Sequence, residues 1–212
     1  FENGVCLMCN YSKAEFQFNK SLKLKLFQKR IKLSMNEQRK KGPYDCIVGV
    51  SGGKDSTRQA HWVRDRLGLR PLLVCCAYPP KQMSEIGANN LSNLIEMGFD
   101  LIAATPAPKT AAHLALESFK QFGNVCKSTE MSLFSTVPRL AIELGVNTIF
   151  WGENPAFQGG DSAAEGVDEF DGNNLRKMNT LTAGGPEWIR SAVKHSYLSE
   201  HYFYPNEIQF DK

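Results

Sequence analysis

The sequence predicts an α/β protein in which a parallel, twisted sheet carries helices on both faces. Three observations predict it. Short apolar, β-branched runs recur at Tyr44–Val50, Pro71–Ala77, Phe99–Ala104 and Val146–Trp151. The stretches between them place apolar residues at helical spacing, and strands alternating with helices give a parallel sheet. The first run also passes directly into Ser51-Gly52-Gly53-Lys54-Asp55-Ser56, a small-residue turn of the kind that joins a strand to a helix.

The elements follow in order. Tyr44–Val50 has the continuous apolar character of a strand buried on both faces. Ser56–Leu67 reads as a helix, with Ala60, Trp62, Val63 and Leu67 on one side. Pro71–Ala77 is a strand centred on Leu72, Leu73 and Val74. Ser84–Met97 is a helix with Ile86, Leu91, Leu94 and Ile95 as its apolar set and Gly98 as its stop. Phe99–Ala104 is a third strand. Lys109–Phe122 is a helix making apolar contacts through Leu114, Leu116 and Phe119. Glu130–Leu144 is a longer helix interrupted by Pro138, and Val146–Trp151 is the fourth strand. The segment 152–186 breaks the rhythm. It is rich in Gly, Asn, Asp and Ala, and its length fits either a disordered stretch or a functional lid. Its place after a strand's C-terminal end, where α/β sheets set their ligands, favours the lid.

The 212 residues suffice for one α/β domain with a proper core. The start at Phe1 and the stop at Asp211-Lys212 read as the ends of a piece of a longer protein. Three regions are expected: 1–41 with a cysteine pair and a basic helix, 42–151 as the nucleotide-handling domain, and 152–212 as a substrate or lid region continuing past the C-terminus. Apolar residues are 42% and charged residues 22%, an ordinary soluble composition, and no apolar run approaches the roughly 20 residues that cross a bilayer. The net charge of +3 points to no polyanionic partner. Its distribution is uneven, since Lys20, Lys23, Lys25, Lys29, Arg30, Lys32, Arg39, Lys40 and Lys41 share one stretch. The simple reading is a surface helix burying Leu22, Leu26, Phe27 and Ile31; the alternative is a phosphate-neutralising face. Cys46, Cys75 and Cys76 lie in apolar runs and behave as small hydrophobes. Cys6 and Cys9 have the spacing of half a thiolate zinc site, or are two unrelated thiols. His113, His195 and His201 show no paired ligand spacing.

The turn after the first strand carries the chemistry. Gly52 and Gly53 let main-chain N–H groups approach an anion at the positive end of a helix, Ser51 and Ser56 add hydroxyls, and Lys54 adds a full charge. That set asks for phosphate. The spacing fits neither the Walker loop nor the dinucleotide fingerprint. Asp55 repels phosphate unless a cation stands between them, so Mg²⁺ is the expected bridge, with a helix cap as the alternative role.

Ser51–Ser56 resembles the PP-loop of the N-type ATP pyrophosphatases, which split ATP between its α and β phosphates. The resemblance implies the adenine nucleotide alpha hydrolase-like, Rossmann-like three-layer fold. It implies also that adenine lies against the end of the second strand, near Val74, Cys75 and Ala77, read by main-chain groups. Further motifs narrow the likeness: Gly4-Val5-Cys6-Leu7-Met8-Cys9-Asn10-Tyr11, Tyr44-Asp45-Cys46-Ile47-Val48, and Trp151-Gly152-Glu153-Asn154-Pro155. In that order they resemble the N-acetyl sugar amidotransferases of bacterial surface-polysaccharide and flagellin-sugar pathways. Lys127-Ser128-Thr129-Glu130-Met131 and Asn179-Thr180-Leu181-Thr182-Ala183-Gly184-Gly185 look most like members associated with pseudaminic and legionaminic acids. The likeness spans about Gly4 to Asn206. It implies a cytoplasmic synthetase subunit that uses ATP and Mg²⁺ and takes ammonia from a glutaminase partner. The product would be an acetamidino sugar made from an N-acetylated acidic sugar, with no membrane or nucleic-acid partner.

By the same likeness Lys54 stabilises charge on the departing phosphates and Asp55 holds Mg²⁺. Glu153 acts in catalysis, and Asn154 and Glu130 touch the sugar, with Lys127 beside them. Read from position alone, Glu153 and Asn154 are equally a polar turn, and Glu130 an ordinary first-turn carboxylate. Relatives carry an earlier cysteine pair that would complete a zinc site with Cys6 and Cys9. Phe157 and Gln158 precede Gly159-Gly160 where many relatives have a glutamate and a tyrosine, which leaves the sugar open. Two other readings stand beside this one. A tRNA-thiolating PP-loop enzyme would use the basic helix and a reactive cysteine, for which Cys126 is the candidate. A nucleotide-binding module would hold ATP or AMP without turning it over.

Overall fold

The computed structural model describes residues 3–6, 9, 20–152, 187–193 and 199–210. Its centre is a four-stranded, wholly parallel sheet in the order β3-β2-β1-β4, built from β1 (Cys46–Gly49), β2 (Pro71–Cys76), β3 (Asp100–Ala104) and β4 (Ile149–Phe150). Register is set by Val48 opposite Leu73 on one side and Phe150 on the other, and by Val74 opposite Ile102. Side-chain alternation sends the strands' residues into two cores. Cys46, Val48, Val50, Leu73 and Cys75 join Ala60, Val63 and Leu94 on one face. Ile47, Leu72 and Val74 join Val137 and Ala141 on the other. Burying each branched side chain contributes about 1.5–3 kcal/mol, so both faces must be covered by helices. The three-layer α/β arrangement expected from the alternation of elements is what forms.

The helices are α1 (Lys20–Gln38), α2 (Lys54–His61), α3 (Glu85–Glu96), α4 (Pro108–Phe122), α5 (Lys127–Glu143), α6 (Glu187–Ala192) and α7 (Glu207–Phe210). α2 continues as a single π-helical turn over Trp62–Arg66. α3 starts at Ser84, whose hydroxyl accepts the Gly87 N–H at 3.1 Å. α4 stops at Gly123, which takes the left-handed conformation at φ 65°.

Several expectations change. Pro138 does not interrupt α5, which runs unbroken from Lys127. The ring is fully buried beside Val137 and Ala141, and packing against the sheet outweighs the one hydrogen bond a proline forfeits. On α1, Leu22 and Leu26 are exposed rather than buried; Phe27 and Ile31 are half-buried as expected and seat the helix together with Met35. The Phe27 ring stacks on Trp62 at 6.3 Å and meets the Phe150 edge at 6.3 Å. Likewise Ile86 and Ile95 of α3 and Leu116 and Phe119 of α4 are exposed, leaving Leu94 and Leu114 as those helices' fully buried apolar residues. Among the described residues, no helix is long and apolar enough to cross a membrane.

The end of the sheet where the strands begin is closed by charge. Asp45, fully buried, accepts Arg39 Nε at 2.9 Å, Arg39 Nη2 at 2.8 Å and the Arg70 N–H at 2.8 Å. Hydrogen bonds from both arginines hold its carboxyl at a pKa of about 2, although burial alone would raise it. Gln38 donates to the Gly145 carbonyl at 2.8 Å, so the end of α1 is fixed against the approach to β4.

Candidate active site

The Ser51–Ser56 turn emerges from the C-terminal end of β1. After β1 the chain goes to β2 and β3 on one side; it then crosses back to place β4 on the other. The β1–β4 boundary is therefore the topological switch point, where open α/β sheets form their ligand crevice. Gly52 takes φ 78°, open to glycine without cost, and is buried. A β-carbon there would sit 2.9 Å from Asn90 Cβ on α3, so the position excludes side chains twice over. Gly53 caps α2 in an extended conformation with no side-chain cap bond. The first-turn N–H groups of α2 thus face outward with no side chain drawn across them.

Long hydrogen bonds shape the turn from within. The Ser51 N–H donates to Ser56 Oγ at 3.3 Å, the Gly53 N–H to Ser51 Oγ at 3.4 Å, and Ser56 Oγ donates to the Gly53 carbonyl at 3.2 Å. Ser56 is buried, so its hydroxyl braces the bend, whereas Ser51, Lys54 and Asp55 are exposed on its outer side. Asp55 lies in the first turn of α2 and does not cap it. Among the described residues, neither Lys54 nor Asp55 forms an ion pair. A lysine and a carboxylate left uncommitted beside outward-facing N–H groups suit a phosphate chain with its divalent cation: Asp55 would hold Mg²⁺, and Lys54 would oppose phosphate charge.

Two residues absent from the sequence-level site complete its floor. Gln59 donates from Nε2 to the Trp151 carbonyl, tying α2 to the end of β4 across the crevice. Its Oε1 is buried with no protein partner among the described residues, and a β-carbon on Gly152 would lie 3.5 Å from it. Trp151 lies tilted against Phe134 with ring centres 5.6 Å apart and covers Gly49, where a β-carbon would be 3.3 Å from the ring. Spacing could have pointed to Gln59, which follows Ser56 by three positions on the same helix face. No local signal pointed to Trp151 as its partner, because they are 92 residues apart.

The other expected site residues fall in three groups. Val74 and Cys75 are buried in opposite cores, and the Val74 carbonyl accepts the Val50 N–H at 2.9 Å. Ala77 N–H is likewise taken, by the Ala104 carbonyl at 2.9 Å. Burial pushes the Cys75 thiol up to about 11 and the Cys46 thiol to about 12, leaving both as inert hydrophobes. Glu130 and Lys127 stand in the first turn of α5, which runs opposite to the strands and so begins at the same edge of the sheet as the Ser51–Ser56 turn. Glu130 is exposed; Lys127 is buried, its ammonium 5.1 Å from the Phe122 ring centre, and burial lowers its pKa while Glu130 raises it. Glu153 and Asn154 lie outside the described residues, as does His195.

Near the start of the chain the Cys9 N–H points at Cys6 Sγ, 3.4 Å away. Such a pair supplies two of a zinc ion's four ligands. Among the described residues, no group of three or more His, Cys, Asp and Glu comes together. Cys126, the candidate thiol of the thiolation reading, is exposed, with its N–H held by Asn124 Oδ1 at 2.8 Å. Comparison with protein-family models and with curated proteins finds no match to this chain.

Proposed function

We propose that the chain is the ATP-using part of a sugar amidotransferase, cleaving ATP between its α and β phosphates to activate an N-acetyl amide. One observation carries the reading: at the sheet's switch point, the Gly52-Gly53 bend presents first-turn N–H groups together with Lys54 and Asp55, both exposed and uncommitted. The amide oxygen of the acceptor attacks the α phosphorus, forming an O–P bond as the bond to the β phosphate breaks and pyrophosphate leaves. Ammonia then adds to the activated carbon. AMP departs with the former amide oxygen, and protons pass to solvent, leaving an acetamidino group. Adenylation is needed because an amide oxygen is otherwise a very poor leaving group. Lys54 offsets negative charge growing on the leaving phosphates, and Asp55 would hold Mg²⁺ against them. The fixed first-turn N–H groups of α2 add oriented dipoles that need no rearrangement during the step.

The test incubates the chain with ATP, Mg²⁺, ammonium and a panel of N-acetylated nonulosonic and uronic acid sugars. The expected result is one sugar whose mass falls by the difference between an oxygen and an imino group, dependent on ammonium or on glutamine with a glutaminase. Pyrophosphate release that requires tRNA and no sugar would replace this reading with thiolation. ATP binding without turnover of any acceptor would replace it with a nucleotide sensor.

A further inference from the structure

The two sides of α1 meet different surroundings. Its inner side is seated by the half-buried Phe27, Ile31 and Met35, by Ser34 Oγ at 2.8 Å from Thr148 Oγ1, and by Gln38 on the Gly145 carbonyl. Leu22, Leu26 and Leu33 lie about half a turn round the helix and are 55%, 54% and 61% exposed. With Lys29 they follow one another at spacings of four, three and four. Those spacings line residues up along one edge of a helix and mark the a and d positions of a coiled-coil seam. The same geometry sets Lys25 and Lys32 along one border of the seam and Arg30 along the other, all three exposed. The acid further along that second border, Glu37, is engaged by Lys40 at 2.8 Å. Single exposed leucines are ordinary, whereas an apolar row with a polar rim marks an interaction site.

We infer that the outer edge of α1 docks an amphipathic helix of a partner protein, one with an apolar seam of its own and Asp or Glu along both borders. Charge selects this occupant. A second copy of the chain would set Lys25, Arg30 and Lys32 against like charges and bury Lys29 in the seam with no anion to meet it, so self-pairing is disfavoured. A phosphate backbone would satisfy the cations but leave the leucines in water. A lipid surface takes a broad apolar face, at least about 100° of the helix, and this row is as narrow as a coiled-coil seam. A partner carboxylate opposite Lys29 pairs the cation in the seam and fixes the register. Burial of the three leucines supplies affinity, and the basic borders supply orientation and choice of partner. The inner side of α1 is already pinned, so docking need not order this helix first.

The probe is a synthetic helix of three heptads with Leu at a and d, one Glu in the seam to face Lys29, and Glu at every e and g. A second peptide carries Lys at e and g. Both are titrated, without ATP, into the full chain and two variants of it. The Glu peptide should bind one to one, and more weakly as salt rises. Leu26→Ala/Leu33→Ala removes exposed side chains, so it should melt at the wild-type temperature while binding the Glu peptide at least about tenfold more weakly. Lys25→Glu/Lys32→Glu should lose affinity for the Glu peptide and gain it for the Lys peptide. Unchanged affinity in the leucine variant would reduce the contact to charge attraction and overturn the inference. A wild-type dimer that the leucine variant dissolves would overturn it in favour of a second copy. Binding to phosphatidylglycerol vesicles or to tRNA, with none to the Glu peptide, would overturn it in favour of a lipid surface or a nucleic acid.

Discussion

Gly52 and Asn90 are packed so closely that a β-carbon on the glycine would sit 2.9 Å from the asparagine's own. The bend is thereby pressed against α3, with Gly52 at φ 78°. Gly52→Ala should cost more than about 1 kcal/mol, because the residue must accept both a left-handed backbone and a backbone-adjacent clash. Thermal melting should record the loss, and a titration with ATP should show binding weakened further than stability alone explains.

Lys54 sits on the outside of the same bend and is exposed. Lys54→Ala should therefore leave stability within about 0.5 kcal/mol of the wild type, as surface changes usually do. Pyrophosphate release should nevertheless fall by about 10²–10³, the usual cost of removing one preorganised charge from a developing anion. Equal losses of melting temperature and rate would mean that Lys54 supports the fold.

Asp45 gives the fold its acid sensitivity. Its folded-state pKa of about 2 lies below the ordinary value of 3.8, so the carboxylate binds its proton less readily when folded. The stability it contributes is fully present above about pH 4 and is lost as pH falls toward 2. Asp45→Asn should cost about 3 kcal/mol by leaving Arg39 and Arg70 facing a neutral amide, and it should flatten denaturant midpoints measured between those pH values.

The layers of the fold were legible because β-branched runs and helical spacing report burial directly, and Cys46–Gly49 and Pro71–Cys76 fall inside the predicted strands. What misled was the assumption that every apolar residue on a helix finds a neighbour. Leu22, Leu26, Ile86 and Phe119 stay exposed, because position along a helix says nothing about which face another layer covers. Pro138 misled for the converse reason: tertiary packing held a helix that local chemistry disfavours. At the candidate site, Gly52, Gly53, Lys54 and Asp55 were readable as one hexapeptide. Asn90, Gln59 and Trp151 were not, since their contacts arise only when α3, α2 and β4 converge on the end of β1.

The central claim is that the Ser51–Ser56 bend grips the inorganic end of ATP, so that cleavage falls next to the α phosphate. The most direct measurement is the identity of the nucleotide product when the chain is given ATP, Mg²⁺, ammonium and an N-acetylated acidic sugar. AMP and pyrophosphate in equal amounts, formed by the wild type and lost in Asp55→Asn, is the predicted result. ADP with phosphate, or AMP formed equally well by Asp55→Asn, would contradict it.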